Sequence, residues 1–349
     1  MQDILTRFEN LTTRVHFCLN VLSVTINIFH LIIITRKPMR TSSVNVLMIG
    51  IAVCDLCTML TSIYKYLQMI DWENPECTTS ISLVKIYMDI TAWSLQYHFR
   101  RCSCWLGILI ASVRYGIMSR ISSVGHIKLA RPEIGTRLIA IVFTVSGVIT
   151  MVWQYECEVV ENRTYPLTSN CAEHQDVYAP PRFSVRLRPV SNISGYIVNM
   201  TYFIVDSIVS SSIPSIAFPV LTFLMIRKIR QFKGNQSMTR AIDEEKYGLT
   251  EKLIVFIAIT CFIAEVPLGL IAIFKAVVGN FDEYYRLSTD LTVYFTILAT
   301  INTILHPTFC LLMSTQYRQT IKSLFRRKVE SIVVPVEVKM NSFAPTTIM

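Results

Sequence analysis

Seven stretches of this sequence are apolar over a length close to that of a membrane-spanning helix. A helix needs about 20 apolar residues to cross the hydrocarbon core of a bilayer. The stretches are residues 15–35, 44–64, 86–112, 136–153, 202–226, 253–278 and 289–313. The chain is 52% hydrophobic and 16% charged, whereas a soluble protein carries about 25% charged residues. We therefore expect an all-α membrane protein with seven transmembrane helices.

Basic residues are concentrated on one side of the expected bundle. The net charge of +9 would suggest a nucleic-acid partner for a soluble chain. Here the basic segments are 36–43, 114–135, 227–252 and the C-terminal tail. The connecting segments at the other ends of the spans carry Asp and Glu instead. The positive-inside rule then places the N-terminus outside and the C-terminus inside. We expect a multi-pass protein of the plasma membrane, in contact with the bilayer and with no nucleic-acid partner.

One membrane domain accounts for most of the chain. Residues 1–14 are the expected extracellular N-terminus, and 15–313 the transmembrane domain. Residues 314–328 place apolar side chains at helical spacing among cations. This pattern predicts a short amphipathic eighth helix on the inner leaflet. Residues 329–349 are expected to form a disordered cytoplasmic tail.

Three cysteines and two glycosylation sequons fall in segments expected outside. Cys77, Cys157 and Cys171 would lie in an oxidising compartment, which favours one disulfide and one spare thiol. The sequence does not choose between Cys157 and Cys171 as the partner of Cys77, and Cys77–Cys171 is the pairing that we adopt. The sequons at Asn10 and Asn162 predict N-linked glycans.

Several polar residues interrupt the apolar spans. Ionisable groups in a membrane are costly and usually face the bundle interior. The ionisable residues are Asp55, Arg100, Arg101, Asp206 and Glu265. His98 and His306 are interpreted as packed polar residues rather than metal ligands, because we find no second His, Cys or carboxylate at ligand spacing.

Motif residues recur across the expected spans: Asn27, Asn45, Ile51, Ala52, Asp55, Arg114, Tyr115, Pro214 or Pro219, Pro267, Asn302, His306 and Pro307. In order and spacing they resemble the motifs of the rhodopsin-like G protein-coupled receptors. The stretches "HFRRCSCWLGILIASVRYGI" (98–117), "AEVPLGL" (264–270) and "CLLMSTQYR" (310–318) are similar to the nematode serpentine receptors of class W. That group is similar to receptors for FMRFamide-like and myosuppressin-type peptides.

The resemblance implies roles for residues in the membrane. Arg114 with Tyr115 resembles the motif whose arginine meets the G protein. Asp55, Ser103 and Asn302 resemble the family's buried sodium site; the alternative is a buried acid satisfied by water. No cofactor other than this candidate structural sodium ion is expected.

The chain also departs from the rhodopsin-like pattern. Val113 replaces the acid before Arg114, Glu265 replaces the tryptophan two residues before the sixth-span proline, and Cys310 stands where a tyrosine is usual. These departures concern the activation switch rather than the fold.

The unusual Glu265 has an expected partner. Arg100 lies fourteen residues before Arg114, or about 21 Å along a helix. In the rhodopsin-like arrangement, that height on helix three faces Glu265. Because an unpaired buried charge is costly, we expect Arg100 and Glu265 to form an ion pair.

A second pair is expected beside the first. Arg101 is rotated about 100° from Arg100, toward the fifth span and Asp206. The candidate ligand-binding residues are Gln96, Arg100, Arg101, Asp206 and Glu265. The alternative for Arg100–Glu265 is a contact that only joins two helices.

The resemblance implies a receptor that binds an extracellular ligand and activates a heterotrimeric G protein by movement of helix six. The first choice of ligand is a short neuropeptide, and an amidated Arg-Phe end would offer an acid a guanidinium. The alternative is a chemosensory receptor for an environmental small molecule, and a remote alternative is a secondary transporter. We find no phosphate-binding loop or hydrolase motif in the sequence, and we do not expect an enzyme.

Overall fold

The computed structural model describes most of the chain. The described residues are 2–69, 83–119, 128–162, 182–187, 201, 204–235, 259–260, 262–275, 277, 282–313 and 315–332.

Long α-helices dominate this part of the chain, as the apolar runs predict. In lipid, a helix satisfies its backbone hydrogen bonds internally, and an open strand does not. The helices are α1 (Gln2–Ile34), α2 (Ser43–Met69), α3 (Leu83–Ser119), α4 (Pro132–Glu156), α5 (Ile213–Asn235), α6 (262–275), α7 (Asp282–Met313) and α8 (Thr315–Ile332). The expected all-α membrane bundle of seven helices with a short eighth helix is confirmed.

Some boundaries differ from those expected. Helix α1 begins at Gln2, so most of the expected N-terminal segment 1–14 is helical. Helix α8 continues to Ile332, four residues beyond the expected end, and residues 333–349 lie outside the described chain.

Among the described residues, four helical segments are long and apolar enough to cross a membrane. They are Leu11–Ile34, Ser43–Leu67, Pro132–Tyr155 and Asp290–Leu312. Large apolar side chains on them are exposed, including Phe29, Val148 and Met151. Such surfaces are suited to lipid, because the hydrocarbon core is as apolar as these side chains. Helix α3 is as long, but it carries Asp89, Arg100 and Arg101.

Helix α3 lies at the centre of the described bundle, in contact with α2, α4 and α5. A buried cluster between α2 and α3 includes Leu47, Cys54 and Leu106. A second cluster joins Ile108 of α3 to Phe218 of α5. Functional side chains on α3 are therefore held by packing on several sides.

A two-stranded antiparallel sheet follows α4. Strands β1 (Cys157–Asn162) and β2 (Arg182–Leu187) pair Cys157 with Leu187 and Asn162 with Arg182. Strand β2 also contacts α3. We call this end of the bundle the hairpin end and the opposite end the α8 end.

Helix α5 is preceded by a π-helical turn, Ile208–Ser212. Pro214 has no N–H to donate to the carbonyl of Ser210, four residues earlier. The Ile213 N–H bonds to the Ile208 carbonyl, and the Trp105 indole of α3 donates to the Val209 carbonyl at 3.2 Å. Wider turns of this kind are frequent at functional sites.

Candidate functional site

Arg100 and Glu265 form the ion pair expected from helix spacing. Arg100 Nη2 donates to Glu265 Oε2 at 2.8 Å and joins α3 to α6. The exposed fraction of the Arg100 side chain is 26%, against 9% for Glu265. The arginine is therefore the more accessible member of this pair.

Arg101 forms the second expected pair, with Asp206, and makes several further contacts. Its Nη2 donates to Asp206 Oδ1 at 2.6 Å, and its Nε donates to Ser210 Oγ at 2.7 Å. Nη1 donates to the Ser146 carbonyl at 3.1 Å and lies 3.3 Å from Thr150 Oγ1. All three guanidinium nitrogens are engaged, and the side chain is only 4% exposed. Arg101 thus clamps α3 to α4 and to the segment before α5.

Asp206 is held at one of its two carboxylate oxygens. Oδ1 accepts hydrogen bonds from both Arg101 and Ser210. Oδ2 accepts none from the described residues, and the side chain is 21% exposed. In this pair the acid is the accessible member.

Gln96 lies on α3, one helical turn from Arg100 toward the hairpin end. Its amide Nε2 donates to Ser62 Oγ of α2 at 2.7 Å. The residue is half-buried, so one part of its amide is fixed while the side chain keeps some accessible surface.

The candidate sodium-site residues are brought together in part. Ser103 Oγ donates to Asp55 Oδ1 at 2.7 Å, and Asp55 is 6% exposed. Hard cations prefer oxygen ligands of this kind. Asn302 lies on α7, but no hydrogen bond joins it to Asp55 or Ser103 within the described chain. Asp55 and Ser103 are therefore in contact, and sodium binding stays a prediction.

Arg114 and Tyr115 lie on α3 toward the α8 end. Arg114 is half-buried and lies within electrostatic range of Cys310 and His306 of α7. With Val113 buried beside it, the acidic neighbour usual in the rhodopsin-like pattern is replaced by an apolar contact.

A polar cluster at the α8 end was missed in the sequence. His30 of α1 forms a hydrogen bond with the Tyr317 hydroxyl of α8 at 3.0 Å, and burial raises the pKa of that hydroxyl. His30, His306 and Cys310 each place one potential ligand atom within 4.8 Å of the others. The interpretation that His306 has no second His or Cys at ligand spacing is wrong. The spacing of His306 and Cys310, four residues apart, was the available signal.

A second network, also missed, joins α1, α2 and α7. His16 forms hydrogen bonds with Thr300 at 3.0 Å and with the Tyr66 hydroxyl at 2.5 Å. His16 and Thr300 are fully buried. Buried polar groups of this kind fix how helices register against each other.

The predicted covalent modifications concern the hairpin end. Cys77 and Cys171, the adopted disulfide pair, lie outside the described residues. Cys157 begins β1, Asn162 ends it, and Asn10 lies within α1. Glycosylation at the two asparagines stays a prediction.

Comparison with known proteins identifies the family. The family profile described as serpentine type 7TM GPCR chemoreceptor Srw matches residues 14–328. A search of curated proteins finds no match to the chain. The match covers α1 from Arg14 onward, α2 to α7, and α8 as far as Lys328. The chain therefore belongs to the Srw family of serpentine, seven-transmembrane G protein-coupled chemoreceptors and is a multi-pass membrane receptor.

Proposed function

We propose that this receptor binds a short neuropeptide with an amidated Arg-Phe end at the hairpin end of the bundle and activates a heterotrimeric G protein at the α8 end. The observation that carries the proposal is the pair of adjacent ion pairs. They leave one base, Arg100, and one acid, Asp206, each more than a fifth exposed.

The direction of the chain in the membrane supports this arrangement. Arg36, Lys37 and Arg40 lie between α1 and α2 at the α8 end, and all three are exposed. Arg227 and Arg230 lie on the corresponding end of α5 and are exposed. By the positive-inside rule, these cations support an orientation with this end in the cytoplasm and the hairpin end outside the cell.

Asp206 is the group suited to the peptide arginine. Its Oδ2 accepts no hydrogen bond within the described chain, while Oδ1 is held by Arg101 and Ser210. A guanidinium entering from the hairpin end could donate to the carboxylate without breaking the Arg101 clamp. Charge-assisted hydrogen bonds of this type are about twice as strong as neutral ones.

Arg100 is the group suited to the peptide's C-terminal amide carbonyl. A single hydrogen bond within the described chain, to Glu265, engages its guanidinium. The other N–H groups can donate to a carbonyl oxygen. Asp206 and Arg100 together would bind the two polar features of an Arg-Phe-amide end.

Ligand contact at Arg100 gives a route to the G protein. Movement of the guanidinium toward the ligand would weaken its contact with Glu265 and free α6. Pro267, two residues further along α6, interrupts the helix hydrogen bonds and permits a bend. The ligand shifts the equilibrium by its differential affinity for the two arrangements. Arg114 and Tyr115 would then meet the G protein at the opened α8 end.

A screen tests the proposal. Cells expressing the receptor with promiscuous G proteins would be exposed to amidated peptides and to small odorants. We expect a saturable response to an Arg-Phe-amide peptide. Replacing Asp206 by Asn should raise the half-maximal concentration about 10- to 100-fold, the effect of losing one charged hydrogen bond. Silence to all peptides with a saturable response to an odorant would refute the peptide proposal.

The peptide provides its own control. A peptide with citrulline in place of arginine has no charge for Asp206 to bind, so D206N should no longer change its potency. Asp290→Asn, on α7 and remote in sequence from the pairs, is the matched receptor control and should leave the response to the arginine peptide unchanged.

A second candidate is a chemosensory receptor for an anionic small molecule. Arg100 carries this alternative, since its side chain is the most exposed of the four paired residues. An anion would depend on Arg100 and not on Asp206. An odorant response lost in Arg100→Gln and retained in Asp206→Asn would favour it.

A further inference from the structure

Three side chains with metal-binding atoms meet at the α8 end of the bundle. His30 comes from α1, and His306 and Cys310 come from α7. Their potential ligand atoms all lie within 4.8 Å of one another. His30 and Cys310 are 1% and 4% exposed, whereas His306 is partly exposed, so the cluster is largely buried with one accessible member.

The α7 pair has the spacing of a helix metal motif. His306 and Cys310 are four residues apart, which places both side chains on one face of the helix. The Pro307 between them does not interrupt that face. His30 approaches from α1, and its ring stands edge-on to His306 with centroids 5.9 Å apart.

One ring nitrogen of His30 has no hydrogen-bond partner among the described residues. His30 Nε2 is buried without a hydrogen bond from any described residue. Its other nitrogen, Nδ1, is 3.0 Å from the Tyr317 hydroxyl. When Nδ1–H donates to that oxygen, Nε2 presents its lone pair. Metal-binding histidines are commonly held in this way, with the second nitrogen donating to an oxygen that orients the ring.

We propose that His30, His306 and Cys310 bind a Zn²⁺ ion. Two imidazoles and a thiolate are ligands that zinc prefers, and three protein ligands leave a fourth, open position. Around a tetrahedral ion, ligand atoms are separated by about 3.3–3.7 Å. The three atoms now lie within 4.8 Å of one another. Small side-chain rotations would therefore bring them to coordination distance.

The cysteine offsets part of the metal charge at the site. Binding requires the Cys310 thiol to lose its proton to solvent, and the thiolate then forms the bond to the metal. Arg114, within electrostatic range of Cys310 and His306, opposes the metal charge but favours the thiolate. The bound site would tie α7 to α1 beside the residue proposed to meet the G protein.

The test uses the whole receptor, purified with chelator and returned to lipid nanodiscs. Added Co²⁺, as a probe for the zinc site, should give a thiolate-to-metal charge-transfer band and the visible spectrum of tetrahedral cobalt, and Zn²⁺ should displace it. Cys310→Ser should abolish the charge-transfer band. Cys57→Ser, on α2 and half-buried, is the matched control and should retain it.

A measurement on the wild-type chain keeps the test independent of variant folding. Zn²⁺ should slow alkylation of Cys310 at least tenfold, read by mass spectrometry of its peptide, and leave Cys57 unaffected. Equal alkylation with and without Zn²⁺, or a charge-transfer band retained in C310S, would overturn the proposal. Either outcome would show that the three residues only pack the helices together.

Discussion

Arg100 of α3 and Glu265 of α6 are joined by a 2.8 Å hydrogen bond two residues before Pro267. The Glu265 side chain is nearly buried and the Arg100 side chain is partly exposed. The bond therefore restrains α6 next to the position at which a proline permits bending. The pair is therefore a restraint on α6, and the proposed ligand would act by releasing it.

Removing either charge should weaken the receptor. Arg100→Gln leaves the Glu265 carboxylate without its partner, and we expect a loss of about 2–3 kcal/mol in the free energy of unfolding. Glu265→Gln should cost less, because an amide oxygen can still accept from Arg100. Thermal unfolding of the receptor in nanodiscs measures both.

The charge-swapped double variant, Arg100→Glu with Glu265→Arg, should recover part of the loss. Recovery no better than the sum of the single swaps would show that the two residues are not coupled. Glu133→Gln, exposed in the first turn of α4, controls for the loss of an unpaired acid and should leave stability unchanged.

Arg101 should be intolerant even of lysine. Its fork donates to Asp206, Ser210 and Ser146 at once, and one ammonium group cannot reproduce that geometry. Arg101→Lys should lower the free energy of unfolding by about 2–4 kcal/mol, since two or more charged hydrogen bonds are lost. Arg137→Lys, exposed on α4, should be neutral. An Arg101→Lys receptor as stable as wild type would exclude the clamp.

Sodium should stabilise the receptor through Asp55. Replacing choline chloride with sodium chloride at constant ionic strength should raise the wild-type unfolding temperature, because an ion that binds the folded state stabilises it. Asp55→Asn should abolish the difference, and Ser103→Ala should reduce it by removing the neighbouring oxygen. Ser112 is half-buried on α3, the helix that carries Ser103, and Ser112→Ala is the control. A sodium effect retained in Asp55→Asn would place the ion elsewhere.

The fold could be predicted because its cause is compositional. Apolar runs of membrane length have few structural outcomes, and the seven runs correspond to the seven bundle helices. The Arg100–Glu265 and Arg101–Asp206 pairs could be predicted for a related reason. A buried charge requires a partner, and few acids are available at the matching depth.

The clusters around His30 and His16 could not be predicted in the same way. Each depends on how α1 registers against α7, across more than 270 residues of sequence, and neutral histidines do not demand a charged partner. Two residues of the His30 cluster, His306 and Cys310, could have been recognised in the sequence, since their spacing places them on one face of α7. The unequal exposure of the two members of each ion pair also could not be predicted, because it depends on how neighbouring helices cover each side chain.

Close packing between α2 and α4 gives a further prediction, at Gly135. A Cβ built on Gly135 would lie 2.7 Å from the Ser43 carbonyl oxygen and 2.9 Å from Val46 Cβ. Because the first of these is backbone, the two helices would have to separate. Gly135→Ala should lower the free energy of unfolding by about 1–3 kcal/mol. At Gly107 of α3 the nearest neighbour is Phe218, at 3.9 Å, so Gly107→Ala should be neutral or gain about 0.5–1 kcal/mol from helix propensity. Thermal unfolding of the two variants side by side tests the contact, and equal stability would show that α2 and α4 do not approach this closely.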